Sequence, residues 1–246
     1  MDHGPARQWQ KDGTKTTMTR KLFLFEVFML LAALAVTAIL YPHLPERVPT
    51  HWGMSGQPNG YSSRDSLFLI GPGMLAGMML LTAVLPWLSP RRFEVNSFRS
   101  TYLRIMTWVF VLMAYLDAIV LWIAARHPVN AGRAIMGGVC LFLALIGNLM
   151  GKVRRNFYIG VRTPWTLANE RVWNATHRFA GKSLVAAGVL GLILSIAGLM
   201  RWPIYALLAG ALAPVIYSLA YYKHLEHLGQ LENGFPNGDR ELNGNT

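Results

Sequence analysis

The chain has 246 residues, 53% of them hydrophobic and only 14% charged, a balance that excludes an ordinary water-soluble domain and points to a protein dissolved in lipid. Its formal charge of +11 does not mark direct nucleic-acid binding, because the basic residues stand at the ends of apolar runs and form no continuous face with base-stacking aromatics. The one cysteine, Cys140, lies inside an apolar run, which excludes an intrachain disulfide.

The expected fold class is all-α, a polytopic membrane protein of about six transmembrane helices. Crossing the hydrocarbon takes about 20 mostly apolar residues, and lipid-exposed backbone must be helical to satisfy its own hydrogen bonds. Runs that qualify are Leu22–Tyr41, Leu67–Leu88, Tyr102–Ala125, Ala134–Met150, Ser183–Met200 and Pro203–Tyr222, the fourth and fifth short enough to continue into their polar flanks. In chain order, the segments outside these runs carry five, two, three, two, seven, one and two Lys or Arg. The alternation follows the excess of Lys and Arg in cytoplasmic loops, so both termini and the fourth connection are expected inside and the first connection outside.

Residues 1–21 read as a mobile basic leader. Followed by the apolar run, they also resemble a signal peptide with Ala33-Leu34-Ala35 as its cleavage pattern, but the run continues past that point and favours a retained helix. Glu26, a turn inside the first span, is expected to snorkel to the interface or pair with Lys21. Residues 22–125 form an N-terminal membrane region. Its outer loop, Leu44-Pro45-Glu46-Arg47-Val48-Pro49-Thr50-His51-Trp52, then Gly56, Pro58, Asn59 and Gly60, is hostile to helix. Pro45 and Pro49 remove donors and the Gly and Asn residues supply turns, which together predict a compact extended loop. His51 beside Trp52 offers a ligand or proton site; the plainer alternative has Trp52 and Tyr61 anchoring the loop at headgroup depth.

Asp117 falls within the third span, where a carboxyl group is a functional candidate by default; the plainer alternative is a neutral carboxyl sharing its proton inside the bundle. The pairs Gly73/Gly77 and Ala206/Gly210 have the spacing of helix-packing surfaces. Residues 126–222 form a second membrane domain around a polar inner loop, 151–182. Asn148, at the inner end of the fourth span, is placed to reach that loop.

Within the loop, Thr163-Pro164 reads as a helix start, with Thr163 capping and Pro164 at the first position. A helix from there to Lys182 or into the fifth span would put Thr166, Glu170, Trp173 or Asn174, His177 and Gly181 on one face, and Trp165, Asn169, Val172 and Thr176 on an adjoining one. Glu170 and His177, two turns apart, make a weak metal pair, since a catalytic zinc usually has three protein ligands. Arg162, Arg178 and Lys182 are candidate anion contacts, although Arg and Lys at an inner membrane face are most often topology determinants. The mixture argues for more than topology, because positive charge alone does not call for Asn156, Asn169, Glu170, Asn174 and His177 in one short loop. No cofactor is named by these residues. His224 and His227 read as solvated helix-end histidines, and residues 223–246 as a cytoplasmic tail, disordered from Leu231 onward.

The pattern Asn148, Gly151-Lys152, Asn156-Phe157, Ile159-Gly160-Val161-Arg162-Thr163-Pro164-Trp165-Thr166-Leu167, Asn169-Glu170, Val172-Trp173, Thr176-His177-Arg178 and Gly181-Lys182 resembles the SdpI family of bacterial membrane immunity proteins. The outer Leu44-Pro45, Val48-Pro49, His51-Trp52 pattern resembles the small domain of unknown function that commonly precedes it. The resemblance implies a multi-pass protein of the bacterial cytoplasmic membrane that protects a cell from a secreted toxic peptide. In the family's type member it further implies a signalling role in which the toxin-bound protein holds a cytoplasmic transcriptional repressor at the bilayer.

The sequence carries no P-loop, nucleotide fingerprint, serine-nucleophile elbow or metalloprotease motif. A non-enzymatic immunity or signalling protein is therefore the first expectation. The alternatives are a membrane enzyme or lipid- or phosphate-binding protein using Arg162, Glu170 and His177, and a small transporter in which Asp117 carries a proton.

Overall fold

The structure is a computed structural model that describes residues 5–53, 56–88 and 95–231. Six helical segments among them are long and apolar enough to cross a membrane: Thr19–His43, Ser66–Leu88, Arg99–Ala124, Ala131–Met150, Glu170–Ile196 and Trp202–His227. The chain is a multi-pass, predominantly helical membrane protein, as its composition requires. Its large exposed side chains, among them Phe28, Ile39, Leu80, Ile193 and Ile216, form the apolar outer surface that lipid rather than water can cover.

Helix α1, Pro5–Leu40, begins well before the first apolar run. The leader expected to be mobile is thus helical from Pro5, continuous with the span that follows. The tail from residue 232 lies outside the described residues. Glu26 turns inward instead of toward the interface: it is buried, and its Oε1 accepts from the Thr107 hydroxyl of the third span at 2.8 Å.

After a 3₁₀ turn at Tyr41–His43, the outer loop is a β-hairpin of β1, Arg47–Trp52, and β2, Pro58–Ser63. The strands are antiparallel, pairing Arg47 with Ser63, Val48 with Ser62 and Pro49 with Tyr61, with irregular register on either side of His51. Neither Pro49 nor Pro58 interrupts the hairpin, because a two-stranded sheet has only edge strands and an edge position tolerates a missing N–H. Val48 and Leu44 bury against Leu67, Val120, Leu121 and Ala124, which seats the hairpin on the end of the third span.

The second span is built in three pieces: α2, Ser66–Phe68, a π-helical turn at Leu69–Gly73, and α3, Met74–Leu88. Pro72 lies within the π turn, where one N–H fewer is tolerated because the regular bonding ladder is already displaced. The third span is α4, Arg99–Ala124, and the fourth is α5, Ala131–Met150. Asn130 caps α5 by accepting the Arg133 N–H at 3.0 Å.

Helices α5, α7 (Glu170–Ile196) and α8 (Trp202–His227) form the second half of the bundle. Small residues let them approach closely. A Cβ on Gly147 of α5 would lie 2.9 Å from the Gly181 carbonyl oxygen, and one on Gly188 of α7 would lie 2.6 Å from that of Cys140. Gly210 of α8 abuts Ala187, and its carbonyl accepts from the Ser183 hydroxyl at 2.8 Å. Of the two small-residue pairs anticipated from spacing, Gly210 packs against a helix, whereas Gly77 faces open space.

Candidate functional site

Two polar regions stand at opposite ends of the bundle. The first is the connection between α5 and α7, where most of the sequence candidates lie. Its organisation follows from a simple requirement: a segment without regular structure must find partners for its backbone donors and acceptors.

Asn156 supplies four of them. It is fully buried; its amide nitrogen donates to the Arg154 and Ile159 carbonyls at 2.8 and 3.0 Å, and its Oδ1 accepts the Tyr158 and Ile159 N–H groups at 2.7 Å. One side chain thereby closes the turn 154–159 from inside. Trp173, fully buried, donates its indole N–H to the Val153 carbonyl at 2.9 Å and stacks on the His177 ring with centroids 3.9 Å apart. His177 accepts the Val161 N–H on Nε2 at 3.1 Å, and its Nδ1 lies 2.8 Å from the Trp173 carbonyl. Because Nε2 is an acceptor, the proton of the neutral ring is on Nδ1, donated to Trp173. Gly160 lies against the Nε2 edge of this ring at φ 119°, a close approach and a backbone angle that only glycine combines without strain.

The helix expected to run unbroken from Thr163 to Lys182 is two helices. Thr163 opens α6, Pro164–Ala168, with a reciprocal cap: Thr163 Oγ1 accepts the Thr166 N–H, and Thr166 Oγ1 accepts the Thr163 N–H at 2.9 Å. Asn169 then leaves the helical region (φ −134°, ψ 126°) and caps α7 by accepting the Val172 N–H at 3.1 Å. The break occurs because an Asn side chain offers the next helix a better start than the backbone alone, so α6 ends where α7 begins. Trp165 donates its indole N–H to Ser218 of α8, which fastens α6 to the last span.

Glu170 and His177 both lie on α7, but in different settings. Glu170 is exposed in the first turn of α7, where a carboxylate meets the positive end of the helix dipole. His177 is buried with both nitrogens engaged, so the suggested metal pair does not assemble. Thr176 is buried, and its hydroxyl has no partner among the described residues. Asn148, expected to reach the loop, is exposed on α5. The face of the loop that remains open is basic: Lys152, Arg154, Arg162, Arg171, Arg178 and Lys182 are exposed, with Glu170 among them. Arg162 bonds the Phe157 carbonyl, and Arg171 bonds Gln230 at 3.0 Å.

The second region lies at the hairpin end. His51 is exposed and bonded through Nδ1 to the Asn59 side chain. Trp52 is half-buried, and both residues line a cavity of about 460 Å³ that reaches Asp117 of α4. Asp117 is 5% exposed and packs against Gly71 of the π turn, and among the described residues its Oδ1 has no hydrogen-bond partner. The convergence of the hairpin motif and the intramembrane carboxyl was not anticipated from sequence. The signal was the Gly-Pro-Gly at 71–73, which marks a disturbed helix at the depth of Asp117.

Comparison with known proteins bears on both regions. Residues 152–222 match the SdpI/YfhL protein family, and residues 28–76 match a domain of unknown function, DUF1648. The chain is 29% identical over 205 residues to the immunity protein SdpI of Bacillus subtilis (strain 168), an alignment that covers 83% of this chain and 96% of that protein. No solved structure matches. The resemblance first carried by the loop and hairpin motifs thus extends over most of the chain: it is a multi-pass membrane protein similar to the SdpI immunity proteins, with a DUF1648 domain ahead of the SdpI/YfhL match.

Proposed function

We propose that the protein is a non-enzymatic immunity protein of a bacterial cytoplasmic membrane, protecting the cell that carries it against a secreted toxic peptide. The observation that carries this reading is the likeness to the Bacillus subtilis immunity protein across 96% of that protein's length. The loop geometry supports it. Asn156, Thr163, Thr166, Asn169, Trp173 and His177 spend their polar atoms on one another and on local backbone, which is the chemistry of a rigid platform.

With both termini and the loop on the cytoplasmic side, as the Lys and Arg distribution favours, the platform presents Arg162, Arg178 and Lys182 to the cytoplasm. That face fits a cytoplasmic partner, such as the repressor implied by the family resemblance. The hairpin and its cavity then face outward.

The test is survival of a peptide-sensitive bacterium expressing the chain, beside Arg162→Ala, Glu170→Ala and Arg178→Ala, with membrane abundance measured for each. Protection by the wild type is expected. A well-inserted wild type that leaves sensitivity unchanged across a panel of membrane-active peptides overturns the proposal.

A further inference from the structure

Burying a carboxyl group in a membrane bundle is costly unless something bonds to it. The other buried carboxyl of the transmembrane region, Glu26, has a partner in Thr107. Asp117 is equally buried, yet its Oδ1 has none among the described residues. The surroundings are arranged around it nonetheless. The π turn brings Gly71 against the carboxyl group, where any side chain would collide with it. Turns of this kind appear mostly as local disturbances at functional positions in helices.

Asp117 lines a cavity, so a guest there stands beside the carboxyl group, while Oδ1 itself is packed against Gly71. The cavity's volume of about 460 Å³ is within the range of small-molecule sites. Five elements enclose it: the hairpin through His51 and Trp52, α3 through Met74, α4 through Asp117, α5 through Met136 and the start of α8 through Ile204. The walls are mostly apolar, and methionine side chains adapt readily to an apolar guest. Trp52 adds an aromatic face of the kind that attracts a cation.

We propose that this cavity binds an apolar chain bearing one primary ammonium group, whose N–H donates to Asp117. An anion is disfavoured beside Asp117 and a purely apolar guest leaves it unpaired, whereas an ammonium both donates to the carboxyl group and favours its ionised form, which a neutral donor does not. Two sources offer it, an aminophospholipid from the surrounding bilayer and a free alkylamine. The site is independent of the immunity reading, because binding to the purified chain does not require that it confer protection.

The experiment uses the full chain in phosphatidylcholine nanodiscs with dansylcadaverine, a primary ammonium on an apolar aromatic body, followed by its fluorescence. We expect saturable binding, displaced at least tenfold more effectively by dodecylammonium than by dodecanol. Asp117→Asn abolishes that preference, and Met136→Trp, which fills the cavity without touching the charge, abolishes saturable binding. Equal displacement by the amine and the alcohol, a preference that survives in Asp117→Asn, or unchanged binding in Met136→Trp overturns the proposal. Phosphatidylethanolamine in the discs separates the sources: competition with the probe supports the site with the lipid as its occupant, and undiminished saturable binding supports it with a free amine.

Discussion

Gly160 lies against the Nε2 edge of the His177 ring, so closely that a single added methyl group would collide with the atom that accepts the Val161 N–H. Backbone angle and contact therefore act together at one position. Gly160→Ala is expected to destabilise the protein by about 1–3 kcal/mol, from the strain of a positive φ and the loss of that hydrogen bond. Thermal unfolding in detergent measures it. Because much of the cost is the collision with the ring, the double variant Gly160→Ala/His177→Ala should be less destabilised than the sum of the two single variants.

Asn156 should be irreplaceable even by its nearest isostere. Aspartate keeps the acceptor for Tyr158 and Ile159 but has no N–H groups for the Arg154 and Ile159 carbonyls, which already have 2.8 and 3.0 Å partners in the native turn. In Asn156→Asp a carboxylate faces two carbonyl oxygens in a buried setting. The expected loss is about 2 kcal/mol or more. Limited proteolysis should show faster cleavage between residues 154 and 162, and equal cleavage of variant and wild type would count against the role assigned to Asn156.

Adjacent residues at the start of α7 should behave in opposite ways. Asn169 caps the helix, so Asn169→Ala should cost about 1 kcal/mol. Glu170 is exposed and contributes only through the helix dipole, so Glu170→Ala should stay within about 0.5–1 kcal/mol. A loss of protection in Glu170→Ala at unchanged thermal stability would then mark a surface contact, whereas the same loss in Asn169→Ala would not distinguish contact from fold.

The spans were legible because length and hydropathy are properties of a segment on its own, and lipid leaves helix as its only solution. Thr163 and Pro164 were legible for a similar reason: capping needs only neighbours. His177 was not. Its spacing from Glu170 implied a shared face, but which atoms a side chain has left to offer depends on the backbone that folds over it, and here Val161 and Trp173 occupy both nitrogens. The hairpin partner of His51 and the meeting of Trp52 with Asp117 depend on contacts between separate segments, which spacing along one segment does not encode. Gly160 and Gly71 each touch a polar side chain that sequence had singled out, so glycine beside such a residue in space was the informative pairing.

Cys140 offers a direct probe of how closely α5 and α7 pack. It is fully buried, and a Cβ on Gly191 would lie only 2.7 Å from its Sγ. As the one cysteine of the chain, it reports without interference. In the folded protein N-ethylmaleimide should label it slowly, with the rate rising to that of an exposed thiol on unfolding. Gly188→Leu forces a branched side chain into the space where a Cβ would already lie 2.6 Å from the Cys140 carbonyl. Overpacking of this kind costs about 1–3 kcal/mol, and separating the helices should accelerate labelling in the folded state. Rapid labelling of the wild type would refute the close α5–α7 contact, and unchanged labelling in a stable Gly188→Leu variant would show that the helices part elsewhere.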